Sequence, residues 1–303
     1  MMTNPTAQPQ DIEKQPASGI DKSHIDNSFR PQDDLFRYFN GAWLKNHEIP
    51  QDRSSDGTFY QLHLAAEAQV REIIETAKGE GNAQKIRDLY DCFLDTEAIA
   101  KAGITPLFKD LAAIDAIQTR DQFIKVMADL EMRGLGGAFG LGIFGDAKNS
   151  GMNIVYLGQG GLSLPDEAYY REEQYEEIRQ AFKVHVAKMF ALAQIDGGAE
   201  LAEEIYRLEA QIAAHHFDQV KDRDVELTYN KLSFAELCAL APHFDWATWL
   251  EYGQIPKSAF AEVVVQQPPF FVGLSAILEN FDPKPWRAWM KWQLISGAAA
   301  YLP

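Results

Sequence analysis

Apolar residues recur every three or four positions through most of this chain, and the stretches that keep this spacing predict helices. Over 57–78, Phe59, Leu62, Ala66, Val70, Ile73, Ile74 and Ala77 fall on one stripe. An aspartate cap at 33–34 before Leu35, Phe36, Tyr38, Phe39, Trp43 and Leu44 predicts a shorter helix upstream. The same spacing predicts helices over 82–94, 96–102, 106–114 and 119–133, the last opened by Thr119 with Asp121 and Gln122 in its first turn. Long helices are expected over 172–194 and 199–217, and shorter ones over 233–241, 246–252, 269–280 and 285–301. One region has a period of two instead. Phe139, Leu141 and Ile143 alternate with Gly140 and Gly142, 153–157 reads as a second strand, and Lys148-Asn149-Ser150-Gly151 as the turn between them. The expected fold is mainly α, a multi-helix domain with a small β-hairpin near 138–158, and no repeat of fixed period is found.

Composition narrows the classes. The 303 residues allow one large domain or two smaller ones, and 46% hydrophobic with 12% aromatic residues can bury a sizeable core. Residues 1–30 carry Pro5, Pro9 and Pro16 among polar residues and are expected to be a disordered tail. A net charge of -16 argues against nucleic acid and anionic membrane as partners. The two cysteines, Cys92 and Cys238, both fall in amphipathic helical patterns and are expected to be buried free thiols in a reducing compartment. The first 20 residues hold no apolar run of signal-peptide or membrane-span length, so a cytoplasmic protein is expected. The sequence stops at Pro303 directly behind a predicted helix, with no capping glycine and no polar tail, and a truncation, in the reading frame itself or in how the sequence was obtained, is the expected reason.

Three spellings invite chemistry and do not carry it. Gly140-Leu141-Gly142-Ile143-Phe144-Gly145 matches the G-x-G-x-x-G of dinucleotide-binding turns, but those glycines must follow a strand and open a helix. Here they alternate within the strand, which points to close packing of a bare backbone face against a neighbouring helix. His215-His216 would tempt a metal assignment, yet His215 continues the stripe of Leu201, Ile205, Leu208 and Ile212. Adjacent side chains diverge by about 100° on a helix, so core packing or helix capping is the expected role. The acidic pairs Glu172-Glu173, Glu176-Glu177 and Glu203-Glu204 stand among Arg171, Arg179, Lys183 and Arg207 and read as a solvated face. No G-x-S-x-G elbow occurs.

The stretch DDLFRYFNGAWLKNHEIPQDRSSDGTFYQL, residues 33–62, resembles the opening of the neprilysin-type zinc metallopeptidases, metallopeptidase family 13. Three further segments are similar to that family's motifs in the same order. They are Gly160-Gly161-Leu162-Ser163-Leu164-Pro165-Asp166-Glu167-Ala168-Tyr169-Tyr170, then Lys221-Asp222-Arg223-Asp224-Val225-Glu226-Leu227-Thr228-Tyr229-Asn230, and the strand–loop–helix of Glu262-Val263-Val264-Val265 followed by 274–278. The likeness covers residues 31–303.

The resemblance implies that this is the N-terminal, cavity-forming lid part of a zinc metalloendopeptidase of small peptides. Residues 31–78 would pack against the catalytic domain and 79–303 would form the helical lid. The His-Glu-x-x-His zinc helix of the family is missing here. Its nearest approach, His47-Glu48-Ile49-Pro50-Gln51, has Gln51 in place of the second histidine and a proline within the would-be helix. No catalytic or metal-ligating residue is therefore assigned, zinc is expected only in a complete enzyme, and this chain alone is expected to be inactive. An arginine before the second helix approaches the peptide C-terminus in that family. The matching position here is Ser55, in the frame Ser-x-Gly-x-Phe, with Arg53 two residues earlier, and these two are the candidate substrate-cavity residues. The expected partners are peptide substrates and the C-terminal catalytic domain. The alternative is a stand-alone helical module that binds peptides or proteins without hydrolysis. Exposed faces at Phe36, Phe39, Trp43, Trp289 and Trp292 would favour the part of a larger enzyme, and buried ones the stand-alone module.

Overall fold

Six helices, beginning at Leu35, Thr96, Arg120, Phe234, Trp246 and Pro283, open behind an Asp, Thr or Ser whose side-chain oxygen receives a free N–H of the first turn. The computed structural model describes residues 20–303. It divides into two compact units, 1–92 and 93–303.

In the first unit, Asp34 caps helix α1 (Leu35–Asn46), its side chain accepting the Arg37 N–H at 2.8 Å. Helices α2 (Thr58–Thr76) and α3 (Asn82–Leu94) follow, the last running two residues past the division. Arg87 ties α3 to the end of α2 through the carbonyls of Ala77 and Gly79, which explains why 79–92 falls with the first unit. The expected disordered tail falls mainly on residues 1–19, outside the described residues. Residues 20–30 are built otherwise: a 3-10 turn spans Lys22–His24, and the Asp26 N–H donates to the Tyr38 carbonyl at 2.8 Å. Asp26 and Gly41 are the only buried residues of this unit among those described.

Among the described residues, the second unit holds the whole hydrophobic core. Helices α4 (Thr96–Ala102), α5 (Phe108–Asp115) and α6 (Arg120–Met132) come first. A full capping box between Thr119 and Gln122 opens α6. Strands β1 (Phe139–Asp146) and β2 (Asn149–Gln159) form the expected hairpin. Its turn is tighter and earlier than expected: Ala147 and Lys148 alone lie between the strands, because Asp146 accepts the Lys148 N–H at 2.9 Å and closes the chain there. After the short α7 (Ala168–Arg171), α8 (Glu176–Leu192) and α9 (Gly198–Ala213) pack on each other. Strand β3 (Asn230–Ser233), α10 (Phe234–Leu240), α11 (Trp246–Tyr252), β4 (Glu262–Val265), α12 (Pro268–Glu279) and α13 (Pro283–Ala298) complete the order.

The hairpin is half of a larger sheet. The strand order is β1-β2-β4-β3, with β2 and β4 parallel and the other pairs antiparallel. Val263, Val264 and Val265 are fully buried. Helix α13 is the hub of the helical part, packing on α5, α6, α8 and α9. Trp286 lies against Phe123 at 4.6 Å between ring centres, and the Trp292 indole N–H donates to Ser163 Oγ at 2.8 Å. Trp289 and Trp292 are therefore buried, against the expectation of an uncovered α13 face.

The glycines of β1 serve differently from expectation. A Cβ on Gly142 would stand 2.4 Å from the ring of Phe144, so the space there is taken by the strand's own exposed phenylalanine and not by a helix. Both cysteines are free, Cys92 exposed and Cys238 half-buried, where both were expected to be buried. None of the described helices is long and apolar enough to cross a membrane.

Candidate functional site

The link from α1 to α2 carries the two candidate cavity residues. Its first residue, His47, leaves the helix in an extended conformation and stacks on Trp43 at 4.2 Å between ring centres. His47 Nε2 lies 2.8 Å from Asp56 Oδ2, across the link. The Asp56 side chain is almost wholly covered, and its Oδ1 accepts the Gly57 N–H at 2.7 Å. That backbone bond, ahead of the contacts with His47 and Gln61, holds the Asp56 carboxyl below the usual carboxylate range.

Arg53 is held from three sides. Its guanidinium lies 3.8 Å over the Tyr60 ring, its Nε donates to Asp52 at 3.1 Å, and a terminal nitrogen is 3.9 Å from Asp56. Asp52 first, then Tyr60 and Asp56, favour its charged form. Ser55 is exposed and lines a hollow of about 440 Å³ with Asp56, Gly57, Thr58, Phe59, Tyr60 and His63. Ser55 thus lines the hollow, and Arg53 does not. Among the described residues no histidine or carboxylate bonds to the Ser55 hydroxyl, so nothing there activates it as a nucleophile.

His47-Glu48 does not form half of a zinc helix: α1 has ended at Asn46, and His47 is committed to Asp56. Among the described residues no three His, Cys, Asp or Glu side chains gather as a metal-binding group, so the donor set does not fit a catalytic zinc. Helix α9 stops at Ala213, short of the expected 217, and His215 and His216 lie in the turn beyond it. His216 Nε2 is 3.0 Å from the Gly160 carbonyl, and burial lowers its basicity. His215, expected to pack in the core or to cap the helix, is exposed, with its ring against Gly273.

The acidic pairs lie at the surface, exposed or half-buried, and several of them pair with nearby cations. Glu203 binds Lys183 at 2.9 Å, Glu204 binds Lys284 at 3.0 Å, and Glu176 binds the buried Arg179 at 2.7 Å.

Two carboxyls escaped the sequence reading. Glu209 is fully buried in α9, accepting from the Ser163 hydroxyl and the Tyr170 hydroxyl, each at 2.6 Å, and from the Ser163 N–H at 3.1 Å. Burial pushes its pKa up to about 7. Burial does the same for Glu131, also to about 7, although the Trp249 indole N–H donates to it. Glu209 was visible in principle: it stands four residues after Ile205 and three before Ile212, on the apolar stripe of α9.

The comparisons with known proteins come down on one side. The model of peptidase family M13, in its N-terminal part, matches residues 31–303. The chain belongs to peptidase family M13. Endothelin-converting enzyme-like 1 of Mus musculus is 26% identical over 295 residues, covering 90% of this chain and 38% of that protein. Endothelin-converting enzyme 1 of the same species is 24% identical, covering 92% and 38%. The structure of the Mycobacterium tuberculosis zinc metalloprotease Zmp1 in complex with inhibitor superposes with a TM-score of 0.86 at 40% identity, over 94% of this chain and 44% of that one. PepO from Lactobacillus rhamnosis shares the fold at 22% identity, with a TM-score of 0.67 over 88% of this chain and 43% of that one. This M13 chain therefore spans less than half the length of these relatives. The fold in hand is the mainly helical N-terminal region of the family, with its small sheet.

Proposed function

We propose that this M13 chain is the non-catalytic N-terminal part of a zinc metalloendopeptidase of small peptides, and that it shapes the cavity in which they are cleaved. The observation that carries the reading is the uncovered apolar stripe of α2. Phe59, Leu62, Val70 and Ile73 keep helical spacing, all are exposed, and α2 buries no residue at all. Ile86 and Leu89 on α3, and Phe36 and Phe39 on α1, are exposed in the same way. An amphipathic helix without a covered face is built to meet a further surface. In this reading that surface is the zinc-bearing part of the enzyme, which supplies the metal and the catalytic residues. Zinc acts there, not on any residue described here.

Arg53 and Ser55 are the residues we assign to the substrate cavity, Arg53 as a partner for a peptide carboxylate once it swings from Asp52. The partners are peptides and the catalytic part, and neither nucleic acid nor membrane suits a charge of -16. Two free thiols support a reducing, cytoplasmic setting. The second reading, a stand-alone peptide-binding module, draws on the burial of Trp289 and Trp292.

Cleavage of a quenched fluorescent peptide, with zinc present, decides between them. The chain alone should cleave nothing. A chimera carrying it in place of the matching region of Zmp1 should cleave, and Arg53→Ala in that chimera should lose its preference for peptides with a free C-terminus. Hydrolysis by the isolated chain, or a folded zinc-loaded chimera without activity, contradicts the proposal.

A further inference from the structure

A hollow of about 390 Å³ opens within the second unit, away from the α1–α2 link in sequence and framed by α6, β1 and α11. Its walls are apolar: Met132, Leu135, Phe139, Leu141, Trp249 and Ile255. One carboxyl stands among them. Glu131, at the end of α6, gives its Oε2 to the Trp249 indole N–H at 2.5 Å. Among the described residues none bonds to its Oε1, which lies over the bare backbone of Gly137: a Cβ there would fall 1.3 Å from that oxygen. The charges on the surrounding elements are spent elsewhere. Arg133 bonds Asp110 and Asp129 at 2.8 and 2.9 Å, Lys125 pairs with Asp121 at 2.8 Å, and Asp245 caps α11 through Thr248. No cation is paired with Glu131 among the described residues.

We infer that this hollow is a binding site for an apolar group carrying a primary ammonium, the ammonium meeting Glu131 Oε1 and the apolar body lying against Leu135, Leu141 and Trp249. Several features select this ligand class. The volume falls within the range of small-molecule sites, which are apolar with a few fixed polar groups. An ionised carboxyl in such a place is costly without a counter-charge, and a ligand ammonium supplies one. The indole holds one carboxylate oxygen and so fixes the direction of the other. The pKa of about 7 then makes binding proton-linked. An alkylammonium keeps its proton up to about 10, so the carboxyl alone titrates. Affinity should fall about tenfold for each pH unit below the carboxyl's pKa.

The test uses the full 303-residue chain and follows the Trp249 indole N–H resonance, assigned from the spectrum of Trp249→Phe. Phenethylamine should shift that resonance, while phenethyl alcohol, its neutral counterpart, should bind at least tenfold more weakly. Glu131→Gln keeps an oxygen for the indole and should remove the preference for the amine and its pH dependence. A phenylalanine-led dipeptide with a free N-terminus, compared with its acetylated form, tells a peptide terminus from a free amine as the source of the ammonium. Equal binding of amine and alcohol overturns the proposal, as does unchanged amine affinity in Glu131→Gln. A resonance that neither ligand moves would leave the carboxyl as a cap for the indole and nothing more. None of these readouts depends on proteolysis.

Discussion

Helices α2 and α9 have the same sequence signal and opposite fates. Each repeats apolar residues at spacings of three and four, yet Ile205, Leu208 and Ile212 of α9 are buried, while Phe59, Leu62, Val70 and Ile73 of α2 face solvent. The difference lies in what stands opposite. Helix α9 is covered by α8, α12 and α13 within its own unit. Besides α2, the first unit holds only α1, α3 and a 3-10 turn among the described residues, and none of these buries an apolar side chain larger than a glycine's hydrogen. Periodicity identifies a helix and the face that seeks cover, and a second element is needed to say where the cover comes from.

The sharpest way to test that contrast is to delete matched volumes. Leu208→Ala should destabilise the second unit by about 2–5 kcal/mol, the range for large core deletions. Chemical denaturation reads it directly. A loss under about 1 kcal/mol would mean that the α9 face is not the packed core described here.

A second difference is electrostatic. The buried Glu209 titrates near 7 in the fold against an ordinary 4.5, so the folded state holds the extra proton between those values. Its contribution to stability is fully present below about 4.5 and is lost as pH rises through about 7. By the usual conversion the loss is about 3 kcal/mol. Glu131 has the same sign. Denaturation midpoints of the wild type should fall between pH 5 and pH 8, and Glu209→Gln should flatten that fall; parallel curves for the two proteins would remove Glu209 as the cause.

Smaller effects belong to the first unit. A methyl group on Gly41 would stand 2.6 Å from Asp26 Cβ, so Gly41→Ala should loosen residues 20–30 from α1 at a cost of about 1–3 kcal/mol. Faster amide exchange at Asp26, whose N–H bonds Tyr38, is the readout. Smallest of all, Val70→Asp on α2 should change the stability of the isolated chain by less than about 0.5 kcal/mol. In the Zmp1 chimera the same substitution should weaken activity, because there the stripe is covered. Equal tolerance in both settings would break the comparison.

Much of this architecture was legible because local chemistry dictates it. Thr119 and Gln122 announce α6 by their capping box, and the stripe of α3 places it at 82–94 without help from the rest of the fold. Strand β3 was not legible: Asn230-Lys231-Leu232-Ser233 has one apolar residue and is extended only because β4, some thirty residues on, pairs with it. The place of β4 beside β2 depends on partners distant in sequence in the same way. The candidate hollow divides similarly. Arg53 and Ser55 were readable as neighbours of a Ser-x-Gly-x-Phe frame, whereas the closure of their loop by His47 and Asp56, and the stacking of Arg53 on Tyr60, arise only once α1 and α2 fold back. The exposed tryptophans expected on α13 failed for a related reason. A helix rich in aromatic residues on several sides is wrapped by others, and α13 has four.

The central claim is that the uncovered stripes of 20–92 await the catalytic part of the same enzyme. Reading the gene downstream of the codon for Pro303 tests it most directly. The account predicts an open frame that runs on to a His-Glu-x-x-His helix. A stop codon at that point would contradict it and leave the stripes to a partner of another kind.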